Sequence, residues 1–219
     1  MSNNVDFQRA HIPEAERLDS TYLTELIDTL APFLNYCTYP VGKRISFSAN
    51  NQADCYFILQ GSISLSRQPD DILIEIFVAP SLRGIVPVHK TSQSQFTMRV
   101  LETAEIAIIE KEQLYSLLTE HNLWRPYAMH LQLVASLGSE VLMKLVTPSV
   151  FERVRYQLYE LMSKPQSIRE SVTAENYIRS KTRLSRSGIM NALSELRKGG
   201  YITIENGHLI DIKHIPARF

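Results

Sequence analysis

Residues 184–212 read LSRSGIMNALSELRKGGYITIENGHLIDI, and this stretch decides the fold of the C-terminal part of the chain. Ser185 can cap a helix predicted over residues 186–198, which two consecutive glycines end. Two β-rich runs follow, at residues 201–204 and 209–212. Asn-Gly lies between these runs and is the strongest short-range signal of a β-hairpin. A helix followed by a hairpin is therefore predicted.

A further predicted helix precedes this one. Thr173 can cap a helix over residues 174–181, and a short turn separates it from the helix at 186–198. Helical spacing puts the buried face of the later helix at Ile189, Leu193 and Leu196. Its open side then carries Arg186, Ser187, Met190, Asn191 and Ser194. Helix, turn, helix and hairpin together predict a winged helix-turn-helix, whose second helix enters the major groove of DNA.

Positive charge is concentrated around the predicted turn. Within residues 179–186 there are four basic side chains and no acid. Such a cluster can neutralise phosphates, while guanidinium and amide groups can hydrogen-bond to base edges. The predicted DNA-binding residues are Arg179, Lys181, Arg183, Ser185, Arg186, Ser187 and Asn191. The alternative is a charged, solvated face of a ligand- or protein-binding module that docks an acidic protein.

Charge is unevenly divided along the chain. The 219 residues contain 23 Lys+Arg and 23 Asp+Glu, and this net charge of zero argues at first against a nucleic-acid partner. Residues 1–148 hold 11 basic and 16 acidic side chains, a net of −5, whereas residues 149–219 hold 12 and 7, a net of +5. The neutral total is thus a cancellation, and the basic C-terminal part is suited to phosphates.

The N-terminal part has a different periodicity. A helix is predicted over residues 13–31, and from about 39 to 109 apolar residues alternate with polar ones between turn formers. Ile63 and Leu65, for example, alternate with serines. Several short strands with no helix between them predict a β-sandwich or jelly roll. The predicted fold class is therefore α+β, with an N-terminal jelly roll and a C-terminal winged helix.

Helices are also predicted at residues 111–121, 125–146 and 151–163. The longest has apolar residues with the a/d spacing of a coiled coil, namely Leu131, Val134, Gly138, Val141 and Leu145. This spacing predicts a homodimer helix, although a helix packed on its own sheet has the same pattern. The predicted domains are a sensor-like domain at 1–122, a dimerisation helix at 123–148 and a DNA-binding domain at 149–219.

Several other classes of protein are disfavoured. Cys37 and Cys55 are too few for a disulfide framework or a four-thiolate cluster, so we interpret both as packing residues in a reducing cytoplasm. No long apolar run or signal peptide indicates a membrane or export. A jelly-roll enzyme of the cupin type would need several histidine ligands, but His89 alone of six lies in the predicted sandwich. We expect no catalytic residues, metal or cofactor.

Jelly roll, long helix and winged helix together resemble the cyclic-nucleotide-binding catabolite activator and oxygen-sensor superfamily of bacterial transcription regulators. The resemblance covers about residues 20–214, and its most specific pieces are YFILQGSI at 56–63 and LSRS at 184–187. Sharp strand turns of that fold coincide with Gly42, Gly61 and Gly84, where positive φ is expected. The resemblance implies a dimeric regulator that binds double-stranded DNA, with RNA polymerase as a further partner.

The family pattern is only partly kept in the recognition helix. The arginine that contacts a base in the family corresponds to Arg186. Ser187 stands where many members have Glu, and Asn191 where several have Arg, which implies a different target sequence. The turn between the two helices is one residue longer than usual and lacks its usual glycine.

The sensor part departs further from the family. Members have Gly-Glu-Leu and, about ten residues later, Arg-Ser or Arg-Ala, which hold the ribose and phosphate of a cyclic nucleotide. Ile85-Val86-Pro87 follows the glycine here, and residues 94–97 read SQFT. We expect that cAMP is not bound and that a degenerate pocket remains at Gly84, Ile85, Val86, Gln95 and Phe96. Among such members, the chain is most similar to the enterobacterial regulators named for inhibition of hydrogen peroxide resistance, which implies a role in oxidative stress.

Overall fold

The structure is a computed structural model that describes residues 20–46, 54–84, 96–145 and 149–216. The chain divides into two compact units, Asp19–Ser136 and one that includes Leu137–Phe219. Helix α3, at Trp124–Leu145, contributes residues to both. No helix among the described residues has the length and apolar character needed to span a membrane.

Along the chain, the N-terminal unit consists of helix α1 at Ser20–Leu30, an antiparallel sheet and helix α2 at Lys111–Glu120. A short 3-10 helix at Ala31–Phe33 follows α1. The described residues form six strands, namely β1 at Tyr36–Tyr39, β2 at Arg44–Ser46, β3 at Asp54–Arg67, β4 at Ile72–Val78, β5 at Ser81–Arg83 and β6 at Phe96–Glu110. The β structure predicted for the N-terminal part is confirmed as an antiparallel sheet.

Strands β3 and β6 form the centre of this sheet. They pair from Asp54 opposite Glu110 to Arg67 opposite Phe96. The order β1-β6-β3-β4 places them in the middle, while β2 also pairs with β6 and β5 with β3. Each of the other four described strands therefore pairs with one of these two long strands.

Alternation along β3 divides the core into two clusters. Phe57 packs in one cluster with residues of α1 and α2, such as Leu26 and Leu114. Its neighbours Tyr56 and Ile58 pack in the other cluster, on the opposite face of the sheet. Successive side chains of a strand point to opposite faces of the sheet. Since Tyr56, Phe57 and Ile58 are all buried, both faces of the sheet are covered at this part of β3.

Gly61 lies in the irregular part of the β3–β6 pairing, where the register shifts between Ile58 and Ile63. Its φ is +83°, and a Cβ added here would lie 2.5 Å from the backbone oxygen of Thr103. Gly42 and Gly84 also have positive φ, so the positive φ expected at all three glycines is confirmed. Only glycine combines this backbone conformation with so close a strand.

The two cysteines have different environments. Cys55 is fully buried in β3, as expected for a packing residue. Cys37 is exposed, so its interpretation as a packing residue is wrong. The physical reason is that, among the described strands, β1 pairs with β6 alone at the edge of the sheet, and its two central residues face solvent.

The C-terminal unit begins, after its part of α3, with helix α4 at Val150–Ser163. The remaining elements are α5 at Gln166–Ser171, α6 at Ala174–Thr182, α7 at Arg186–Lys198, β7 at Ile202–Glu205 and β8 at His208–Ile212. The helix predicted over residues 186–198 is confirmed at both ends, and the predicted hairpin is confirmed with small shifts of its strands.

Helix α5 was not predicted from the sequence. It has six residues, too few to show a periodic apolar pattern. Tertiary contacts hold it instead: Ile168 is 2% exposed, and Nδ1 of His208 in β8 lies 3.1 Å from the carbonyl oxygen of Val172. This short helix is therefore a product of packing against the hairpin.

Replacing Gly61 by alanine should destabilise the protein much more than the same change at Gly42. Both residues have φ of +83°, but a Cβ on Gly42 would lie 4.0 Å from the Arg99 guanidinium, at an ordinary van der Waals distance. We expect losses of about 1–2 kcal/mol for Gly42→Ala and about 3 kcal/mol or more for Gly61→Ala, because only the latter adds a clash. Urea unfolding measures both, and equal losses would contradict the close approach of the strands at Gly61.

Candidate nucleic-acid interface

Both helices of the predicted helix-turn-helix begin with the predicted caps. Oγ1 of Thr173 accepts a hydrogen bond from the backbone N–H of Asn176 at 3.3 Å. Oγ of Ser185 accepts one from the N–H of Gly188 at 3.2 Å. Each bond satisfies a donor that the first helical turn leaves unpaired, so the starts of α6 and α7 are well defined.

Helix α7 buries one side and exposes the other, as its spacing predicts. Ile189 and Leu196 are fully buried, and Leu193 is 4% exposed. The five residues predicted on the open side are all exposed, namely Arg186, Ser187, Met190, Asn191 and Ser194. The helix therefore presents polar side chains and one methionine to solvent from its first two turns.

Arg183 ends α6 in the left-handed conformation, with φ 53° and ψ 17°. The missing glycine of this turn is thus replaced by an arginine that adopts a glycine-like backbone, at a cost of about 1–2 kcal/mol. Oγ1 of Thr182 supports the turn: it donates to the carbonyl oxygen of Ile178 at 2.7 Å and accepts from the N–H of Leu184 at 3.3 Å. The exposed Arg183 therefore has a fixed backbone position between the two helices.

Glu175 in the first turn of α6 connects arginines of both helices. Its carboxylate lies 3.1 Å from Nε of Arg179 and 3.9 Å from Nε of Arg186. Arg179 also donates to Oδ1 of Asn176 at 2.9 Å. The arginine side chains remain 54% and 76% exposed, whereas Glu175 is 14% exposed. The carboxylate holds the guanidinium of Arg179 and lies near that of Arg186 while both stay in solvent, a role that the sequence pattern did not indicate.

Lys181 does not lie with the arginines. It is 7% exposed, and its Nζ pairs with Oε1 of Glu160 on α4, which also accepts from the hydroxyl of Tyr177 at 3.1 Å. Lys181 shares the buried side of α6 with Ala174, Tyr177 and Ile178. Helical spacing could have revealed this position, because residues 174, 177, 178 and 181 form one stripe. The prediction that Lys181 faces DNA is corrected: its burial removes it from the surface.

The hairpin has the predicted Asn-Gly turn. Asn206 and Gly207 have φ of 50° and 87°, the positive values that a two-residue type I′ turn requires. The carbonyl oxygen of Gly207 accepts from the N–H of Ala174 at 2.9 Å. This bond attaches the tip of the hairpin to the start of α6.

The residues of the predicted dimer seam are only partly described. Leu131 packs against the core cluster of the N-terminal unit, so it makes the contact expected of a helix on its own sheet. Val134 is partly buried, and a Cβ on Gly138 would meet no atom within 4 Å. Val141 and Leu145 lie in α3, but their side chains fall outside the described residues.

The predicted degenerate pocket is described only at its edges. Gly84 has a φ of +91°, and Phe96 begins β6, while Ile85, Val86 and Gln95 lie outside the described residues. Next to Gly84, the guanidinium of Arg83 lies over the ring of Phe77 at 4.4 Å and 3.5 Å from Oε1 of Glu75. Burial lowers the pKa of this guanidinium, and Glu75 partly opposes the shift. Arg83 is therefore engaged within the unit.

Among the described residues, no three His, Cys, Asp or Glu side chains are placed to hold a metal ion. The surface of the C-terminal unit presents the arginines around the α6–α7 turn and the polar side chains on the exposed side of α7. Residues 150–217 match the family model described as winged helix-turn-helix DNA binding. Residues 150–217 therefore form a winged helix-turn-helix of the kind that binds DNA.

Solved structures confirm the resemblance to the catabolite activator and oxygen-sensor superfamily at the level of fold. A CooA mutant of Carboxydothermus hydrogenoformans is similar with a TM-score of 0.66 and 12% identity, over 89% of this chain and 93% of that one. The c-di-GMP-responsive global regulator CLP of Xanthomonas campestris is similar with a TM-score of 0.62 and 16% identity, over 87% and 100%.

A curated relative has a more specific name. The chain is 29% identical over 187 residues to the Inhibitor of hydrogen peroxide resistance of Escherichia coli K12. The matched region covers 81% of this chain and 86% of that protein. The resemblance of the sequence to regulators with this name is therefore confirmed.

The left-handed conformation of Arg183 leads to a test of stability. Arg183→Gly should give a protein about 1 kcal/mol more stable than Arg183→Ala, although glycine usually destabilises helical segments relative to alanine. Both variants lose the same charge, so the comparison isolates the backbone. Urea unfolding of the two variants provides the measurement, and a more stable alanine variant would contradict the described turn.

Proposed function

We propose that this protein regulates transcription as a homodimer that binds double-stranded DNA, with α7 in the major groove and the β7–β8 hairpin against the backbone. The observation that carries the proposal is the exposed start of α7, where Arg186, Ser187 and Asn191 extend from a helix whose other side is buried. The proposed domains are those of the sequence analysis, at 1–122, 123–148 and 149–219. RNA polymerase is the proposed further partner, and the cytoplasm is where such a regulator works.

The exposed side chains suit two different tasks. Arg179 near the end of α6 and Arg183 in the turn are suited to phosphates, and Ser185 and Ser187 add hydroxyl donors at the start of α7. Arg186 is suited to the O6 and N7 atoms of guanine because its ion pair with Glu175, at 3.9 Å, is loose enough to exchange. Asn191 has the paired donor and acceptor that adenine requires.

Met190 is a further reading residue that was on the predicted open side but not among the predicted DNA-binding residues. It is 47% exposed, although methionine is usually buried in small domains. It lies between Arg186 and Asn191 on the open side of α7. An apolar side chain in the major groove gains most next to the methyl group of thymine, so we propose that Met190 favours thymine.

The proposed sensor does not use cAMP. A cyclic phosphate needs a charge-assisted partner, and the family's arginine is absent from residues 94–97. The arginine next to the predicted pocket, Arg83, is held by Phe77 and Glu75. The name of the Escherichia coli relative supports a role in the response to hydrogen peroxide.

Substitution of the interface arginines tests DNA binding. Arg186→Ala should weaken binding to the preferred site by about 10- to 100-fold and relax base preference at one position, because it removes a base contact. Arg179→Ala and Arg183→Ala should weaken binding to all DNA sequences. Each should also reduce by about 1 the steepness with which the logarithm of the binding constant falls with the logarithm of the salt concentration. Fluorescence anisotropy at several salt concentrations measures both effects.

Arg197→Ala is the matched control for this experiment, because Arg197 is exposed but lies in the last turn of α7, away from the reading end. It should leave sequence preference unchanged. If all four variants bound DNA like the original protein, while an acidic protein bound to the arginine cluster, the unit would be a protein-docking module.

The proposed homodimer is tested at the seam of α3. Val134→Glu should raise the dimer dissociation constant at least about tenfold, because it places a charge in an apolar interface. Gln132→Lys is the control, since Gln132 is an exposed residue off the seam. Analytical ultracentrifugation measures both, and an unchanged dimer in the Val134 variant would exclude this seam.

The proposed role is tested by genome-wide mapping of bound DNA in cells with and without peroxide. The expected result is a set of sites with related sequences whose occupancy changes with peroxide. Sites that Arg186→Ala leaves unchanged would contradict the assignment of α7 as the reading helix. Occupancy that peroxide does not change would contradict the stress role alone.

A further inference from the structure

The N-terminal unit has a polar groove of about 280 Å³ on one face of its sheet. Its lining includes two arginines from adjacent strands and three hydroxyl side chains, namely Arg44, Arg99, Ser64, Ser66 and Thr97. Their neighbours Ile45 and Met98 are buried in the core cluster on the opposite face. Phe96 precedes Thr97 in β6 and so points away from the groove, which separates the groove from the predicted degenerate pocket.

The strand register brings the two arginines together. Arg44 in β2 lies directly opposite Arg99 in β6, and Ser64 in β3 lies opposite Arg99 on the other side. Like charges directly opposite each other on neighbouring strands destabilise a sheet. The unit thus has a local repulsion that a bound anion would relieve.

Neighbouring arginines of the same unit are neutralised, in contrast to these two. Arg67 pairs with Asp70 at 2.8 Å, and Arg83 pairs with Glu75 at 3.5 Å. Arg44 and Arg99 are exposed, and within the described parts of the chain neither guanidinium has an ion pair. The segments that follow β2 and precede β6 add no acidic side chain that could pair with these arginines, because residues 47–53 and 85–95 contain no Asp or Glu.

Asp71 is the acidic member of the lining. Its Oδ1 accepts a hydrogen bond from Nε2 of Gln68 at 2.5 Å, so the carboxylate is fixed at the side of the groove. A carboxylate here accepts hydrogen bonds from hydroxyl groups and repels a second anionic group. The groove therefore offers two guanidinium groups that can bind one anionic group, and one carboxylate that can accept a hydrogen bond from an uncharged hydroxyl group.

We propose that this groove binds a small phosphorylated molecule that carries hydroxyl groups, a phosphate monoester of a polyol. The two guanidinium groups would hold the phosphate, since their planar donors match its oxygens, and the hydroxyls of Ser66 and Thr97 would donate to the remaining oxygens. Asp71 would accept from a hydroxyl of the ligand. The groove volume suits a ligand of this size. This inference concerns the N-terminal unit and does not rest on DNA binding.

The test is binding of defined probes to the full chain at constant ionic strength. Inorganic phosphate, ribose 5-phosphate and ribose would each be titrated by calorimetry, with chloride as the background anion. The expected result is saturable binding of ribose 5-phosphate, weaker binding of inorganic phosphate and none of ribose. Arg44→Gln and Arg99→Gln should each weaken ribose 5-phosphate at least about tenfold, because each removes a charge-assisted contact.

Controls separate this groove from the arginines of the DNA-binding domain. Arg125→Gln removes an exposed arginine of α3 outside the groove, and Arg186→Ala removes one in the DNA-binding domain, so both should retain ribose 5-phosphate binding. Thermal unfolding without ligand adds a second readout. Arg99→Gln should leave the melting temperature unchanged or raise it, because it removes the repulsion with Arg44.

Three results would overturn the proposal. The first is no saturable binding of either phosphate probe to the original protein. The second is loss of binding only in Arg186→Ala, which would place the anion on the DNA-binding domain. The third is binding of an acidic peptide at Arg44 and Arg99 without binding of ribose 5-phosphate, which would make the groove a protein-docking surface.

Discussion

The burial of one side of α7 is the interaction on which the function of the C-terminal unit depends. Ile189 and Leu196 have no exposed surface, and α4 and α6 both contact α7. Since a helix cannot rotate without exposing these residues, their burial determines that Arg186 and Asn191 face solvent. Apolar packing thus sets the orientation of the polar side chains that would read DNA.

Ionic interactions distinguish structural cations from those available to a ligand. Lys181 is buried with Glu160, and the partly exposed Arg83 is held by Phe77 and Glu75, so both cations already have partners. Arg186 has only a long ion pair, and Arg44 is exposed. Residue type alone does not separate these groups, because all are lysines or arginines. Burial and the distance to a carboxylate separate them.

Much of the C-terminal unit could be predicted because its signals are local. Ser185 forms a cap with the residue three positions later, and Asn206 and Gly207 form a turn between adjacent strands. Lys181 was misplaced because the local charge pattern was weighed more heavily than the helical spacing that buries it. The position of Glu175 between two arginines depends on the packing of α6 beside α7, which no local pattern expresses.

In the N-terminal unit, too, local sequence patterns did not predict contacts between distant segments. The alternation of apolar residues predicted strands, but it did not indicate that Arg44 and Arg99 lie opposite each other, since they are far apart in the sequence. By itself, the sequence determined the fold class, the reading helix and the division of charge, because periodicity, capping and composition are properties of neighbouring residues. The tertiary structure alone decided which cations are buried, which carboxylate joins two helices and which strands bring two arginines together, because these depend on contacts between distant segments.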